Sequence, residues 1–155
     1  MAQKTAWNAA ALTEADINLY LMGEGGAWQS WTPTVTQSGS VTVTNTRSRF
    51  ARYGRTIHYT LDLAVTGTGT AANAITVTLP VAAAAGSLTV VGSGRITDIS
   101  VAANFTGLAI NTSTTVMSLL PTTGTAGNYL GATNFTAALA SGDTITISGT
   151  YEAAS

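Results

Sequence analysis

Strict alternation of apolar and polar residues constrains this chain more than any other feature. In Thr56-Ile57-His58-Tyr59-Thr60-Leu61-Asp62-Leu63 every second side chain is apolar. Successive residues of a strand point to opposite faces of a sheet, so a period of two specifies a half-buried β-strand. Ser40-Val41-Thr42-Val43-Thr44 repeats the pattern, and further strands are expected at 74–79, 88–99, 105–111, 114–120 and 143–151. Between them stand turn-forming stretches such as Gly67-Thr68-Gly69-Thr70, Gly124-Thr125-Ala126-Gly127 and Ser141-Gly142-Asp143. Pro80 and Pro121 each close a strand, a position where the missing N–H is tolerated. The expectation is an all-β domain over residues 31–155, built as an antiparallel β-sandwich or jelly-roll-like barrel.

Composition explains how such a sheet meets water. Charged residues are only 8% of the 155, against about a quarter in an ordinary globular domain. Threonine takes their place, with 29 residues. It is β-branched and suited to a pleated surface, and its hydroxyl wets an exposed face without charge. The formal net charge is −1 and Lys4 is the single lysine, so no electrostatic footprint for nucleic acid or membrane is present. The chain has no cysteine, which removes disulfide scaffolds and thiolate metal sites. No basic stretch leads into an apolar run at the start, and the sequence reads as a soluble chain without an export signal. Near-zero net charge gives little protection against self-association, which points toward assembly.

Residues 1–30 differ from the rest and read as a docking arm with a short helix at 14–22. Thr13 is placed as its N-cap, with Asp16 as the capping-box acid. Leu12 and Ile17 are spaced as a hydrophobic staple, Ile17, Tyr20 and Leu21 form an apolar stripe, and Gly23 supplies the stop. Helices shorter than about 12 residues are marginal alone, so this one must dock. All three tryptophans, Trp7, Trp28 and Trp31, lie in or beside the arm. Either they fold back onto the domain's core or, with Leu12, Ile17, Tyr20 and Leu21, they anchor to a partner, as buried aromatics do at interfaces.

Catalytic chemistry finds little purchase. His58 is the sole histidine, on the polar face of its strand with Asp62 about 13 Å along the same face, and no serine is marked as a nucleophile. The seven carboxylates are scattered apart from Glu14 and Asp16, and no calcium loop or phosphate-binding glycine loop occurs. A non-enzymatic chain is expected, with no catalytic residues, metal or cofactor. One charge cluster stands out: Arg47, Arg49, Arg52 and Arg55. Arg47 and Arg49 share a strand face, and Arg52-Tyr53-Gly54-Arg55 reads as a hairpin turn. The four form either a basic strip for acidic groups on a partner or a solvated surface with local partners such as Asp62.

The order of these segments carries a resemblance. A short helix containing Leu12-Thr13-Glu14-Ala15-Asp16-Ile17-Asn18 leads through glycines to Ala27-Trp28-Gln29-Ser30-Trp31-Thr32-Pro33-Thr34. The hairpin Arg49-Phe50-Ala51-Arg52-Tyr53-Gly54-Arg55-Thr56-Ile57, a strand closing in Thr78-Leu79-Pro80, and a final Ser141-Gly142-Asp143-Thr144-Ile145-Thr146-Ile147-Ser148-Gly149-Thr150-Tyr151 follow. Over most of its length the chain resembles small virion proteins and fibre-tip domains of tailed phages, especially phages of Gram-positive and actinobacterial hosts. The resemblance implies a β-rich, often trimeric module on a virion, assembled in the bacterial cytoplasm. Its partners would be copies of itself and the major capsid protein or another virion protein. Two roles follow: a capsid decoration or head-fibre protein held by its arm, or a tail-tip or tail-fibre module contacting host-surface glycans.

Overall fold

A computed structural model describes residues 27–84, 88–121, 129–130 and 137–154. The expected helix at 14–22 and the arm residues Trp7, Leu12, Ile17, Tyr20 and Leu21 lie outside the described residues. The all-β expectation holds. The strands are β1 (Gln29–Ser30), β2 (Val35–Gln37), β3 (Ser40–Val41), β4 (Val43–Tyr53), β5 (Thr56–Val65), β6 (Ile75–Thr78), β7 (Val90–Asp98), β8 (Ala103–Asn111), β9 (Val116–Pro121) and β10 (Thr144–Glu152). Among the described residues they make one antiparallel sheet in the order β1-β4-β5-β10-β7-β8-β9-β6-β2-β3. A single curled sheet therefore stands where two packed sheets were one of the expectations. The sheet also begins two residues before the expected boundary at 31, because Gln29 and Ser30 pair with Phe50 and Arg49.

Contacts across the interior show how far the sheet curls. β5 and β9 are four places apart in the strand order, yet the Tyr59 hydroxyl lies 3.3 Å from Met117 Sδ. The ends of the order are also tied by chain. β3 and β4 are separated only by Thr42, whose carbonyl accepts from both Thr66 N and Gly67 N at 2.9 Å. Residues 31–34 make a second crossing: Trp31 N donates to Ser48 O at 3.2 Å, and Thr78 N donates to Thr34 O at 3.1 Å.

Alternation decides what the curl encloses. Ile57, Tyr59, Leu61, Leu63 and Val65 of β5 are all buried, as are Ile145, Ile147 and Tyr151 of β10. They meet Ile96, Met117, Leu119, Val77 and Val35 in one continuous core. Each aliphatic side chain removed from water contributes roughly 1.5–3 kcal/mol, so this interior is the principal source of stability. The opposite face of β5 carries His58, Thr60 and Asp62.

β4 departs from simple alternation. Its register against β5 shifts between Asn45 and Arg47, leaving Thr46 as an extra residue. A one-residue bulge moves every later side chain to the other face. Val43 pairs with the inward Val65, so an unbroken period of two would drive Arg47 and Arg49 into the core. The bulge instead sets them opposite Asp62 and Thr60, on the outside.

Candidate functional site

The outer face of β4, β5 and β10 forms a grid whose rows follow from strand pairing. Arg47 lies opposite Asp62, which lies opposite Thr146. The next row is Arg49, Thr60 and Ser148, and the one after is Ala51, His58 and Thr150. Ala51, Thr60 and Ser148 are small, so the middle of the grid is depressed below the larger residues around it. The result is an open groove of about 880 Å³, bounded by Trp28, Arg47, Arg49, Tyr53 and His58.

Its walls are held by specific contacts. Trp28, preceding β1, is half exposed, and the guanidinium carbon of Arg49 sits 4.6 Å from its ring centroid. That is cation–π geometry. Arg49 Nε is buried with no hydrogen-bond partner among the described residues. Tyr53, also half exposed, stands edge-on to the His58 ring with centroids 5.8 Å apart. His58 Nδ1 is 3.0 Å from Thr150 Oγ1, which fixes the imidazole over the groove floor.

The four arginines do not form one strip. Arg47 is neutralised by Asp62, with Nη2–Oδ2 at 2.7 Å and Nε–Oδ2 at 2.9 Å. Arg52 lies opposite Ile57, on the other face from Arg47 and Arg49, and its Nε donates to Gly54 O at 2.7 Å. Arg55 belongs to the β4–β5 turn, where Gly54 adopts a φ of 59°. It reaches Glu152 at 3.2 Å and donates to Ala153 O at 3.2 Å. Of the cluster, Arg47 and Arg49 alone line the groove.

The tryptophans separate as well. Trp31 packs against the core and meets Tyr59 edge-on at 6.1 Å, while Trp28 faces outward into the groove. Of the two, Trp31 alone folds back onto the domain's core. Among the described residues no group of three or more His, Cys, Asp or Glu side chains converges as a metal site.

Several groove residues escaped the reading of the sequence. Ser148 and Thr150 belong to the polar face of a predicted strand, but nothing local says that β10 pairs with β5. Ala51 matters through its smallness, which has no motif. Comparison of the chain with protein-family models, curated proteins and solved structures finds no match.

Proposed function

We propose that this chain is a non-enzymatic structural protein of a tailed-phage particle, a capsid decoration or head-fibre protein attached through its N-terminal arm. The observation that carries the reading is the way the chain enters the fold. β1 is a two-residue strand at one end of the sheet, preceded by the exposed Trp28. The fully buried core is supplied from Val35 onward, with Trp31 packed against it. An arm joined at that rim can engage a shell while the body projects from it. In this reading the curled sheet is a jelly-roll-like barrel left open along one seam. The partners are further copies of the chain, as a homotrimer, and the major capsid protein or another virion protein. A threonine-covered surface with few charges suits such packing.

The groove favours a second reading: a tail-tip or tail-fibre module that contacts host-surface glycans. Location separates the two. Labelled antibody seen by electron microscopy on purified particles should decorate the shell at many sites under the first reading and the tail tip under the second. Labelling of neither overturns both. Binding of the full chain to empty capsids, lost on deletion of residues 1–26 while β circular dichroism is retained, supports the arm. Equal binding by the truncated chain removes it.

A further inference from the structure

We infer that the groove over β4, β5 and β10 is a binding site for an oligosaccharide carrying carboxylate groups. The inference gives the second reading above a site and a ligand class, and three independent observations carry it.

The first is the pair of exposed aromatic rings. Trp28 and Tyr53 are each 49% exposed and stand at the groove's borders. Trp and Tyr each carry a flat apolar ring with a polar tip, and the C–H face of a pyranose ring is flat and apolar enough to rest on such a ring. The second is the floor. Thr60, Ser148 and Thr150 present hydroxyls there with the His58 ring, a set of short donors and acceptors that matches a hydroxyl-rich ligand. The third is Arg49. Arg47 is matched by Asp62, whereas Arg49, which also lines the groove, pairs with no carboxylate among the described residues; its Nε is buried, so its terminal amino groups are the ones offered to a ligand. A planar guanidinium held on an indole face is suited to bidentate recognition of a carboxylate.

Other ligands fit less well. A peptide adding a strand needs free backbone groups, and β5 and β10, which carry the groove floor, are each paired on both sides. Single-stranded nucleic acid needs a track of cations along its phosphates, and this groove has one uncompensated arginine. The volume of about 880 Å³ lies within the roughly 300–1,000 Å³ of small-ligand sites.

The test is calorimetric titration of the purified full chain with hexagalacturonate, with neutral maltohexaose, and with an oligothymidylate of similar length. Hexagalacturonate should bind and maltohexaose should bind about tenfold more weakly or not at all. Arg49→Gln should abolish that preference, and Trp28→Ala or Tyr53→Ala should each weaken hexagalacturonate about tenfold. Arg95→Ala, on β7 outside the groove, should leave binding unchanged. Thermal unfolding of each variant identifies any that is misfolded, and Trp28 and Tyr53 provide separate reports on the same face. Failure of hexagalacturonate to bind overturns the inference. So does binding indifferent to Arg49→Gln and both aromatic variants, or tighter binding of the oligothymidylate. Because these readouts use isolated protein, they leave the particle-labelling result untouched, and the two proposals fail separately.

Discussion

The Tyr151 hydroxyl donates to the Val81 carbonyl at 2.6 Å and accepts from the Val81 amide at 3.2 Å, satisfying both backbone groups of a residue 70 positions away. It thereby fastens the segment after β6 to the central strand β10. Tyr151→Phe keeps the ring in the core and removes only this clasp. Two partly buried backbone groups lose their partner, for an expected loss of about 1–3 kcal/mol in urea unfolding. Amide exchange should rise at Val81 and leave Ile147 unaffected.

The same residue makes the fold sensitive to alkali. Burial pushes the Tyr151 phenol up to about 12, even though its hydrogen bonding with Val81 pulls the other way. Tyr59 is raised further, by burial and then by the neighbouring Tyr151. In the unfolded chain both phenols ionise near pH 10. Because the folded values are raised, their contribution is fully present below pH 10 and is lost as pH climbs through about 12. Urea midpoints should therefore be flat from neutral pH to about 9.5 and fall above 10, with a smaller fall in Tyr151→Phe. Phenolate absorbance appearing in the folded protein near pH 10 from these two residues would contradict this account.

Gln37, fully buried at the end of β2, replaces a missing strand partner with its side chain. Its Nε2 donates to Ala137 O at 3.0 Å, and its Oε1 accepts from Leu139 N at 2.8 Å. Gln37→Leu has similar volume but satisfies neither group, so about 1–3 kcal/mol of stability should be lost. Proteolysis near residues 137–139 should accelerate in step.

At Gly149 the backbones of β10 and β7 approach so closely that an added Cβ would run into the Val91 carbonyl oxygen and the Gly92 backbone. Gly149→Ala must push the two strands apart, with an expected loss of about 3 kcal/mol or failure to fold. Gly39, which has nothing within 4 Å of an added Cβ, is the control. Gly39→Ala should change the thermal midpoint little, within roughly 0.5 kcal/mol.

Deleting Thr46 tests the bulge directly. Without it Asn45 opposite Leu63 runs straight into Arg47 opposite Asp62, a one-to-one register that keeps Arg47 and Arg49 outside and Phe50 inside. The deletion variant should therefore stay soluble and unfold cooperatively, as should Thr46→Ser, and loss of cooperative unfolding on deletion would contradict this register.

The role of the residues flanking this bulge illustrates what could and could not be read in advance. That Arg47 and Arg49 share a face follows from their spacing. Which face they share does not, because the extra residue at Thr46 inverts the pattern begun by Val41 and Val43, and nothing in Asn45-Thr46-Arg47 announces a bulge. Likewise Asp62 was legible as a candidate partner from its position in β5, but the separate destinations of Arg52 and Arg55 depended on the turn and on β10. The groove needed β10 to lie beside β5, a pairing between segments more than eighty residues apart in sequence.

By itself, the sequence determined the regularly alternating strands, β5 and β10 among them, and their inner faces, because a pleated backbone converts local alternation directly into sidedness. Ile57 to Val65 and Ile145 to Tyr151 could be assigned to a core without knowing what they would touch. The tertiary structure alone decided the insertion of β10 between β5 and β7, the curl that brings Tyr59 to Met117, and the parting of Trp28 from Trp31. These are outcomes of long-range pairing, selected by how the whole set of apolar faces closes over one interior. No short stretch of residues encodes that closure.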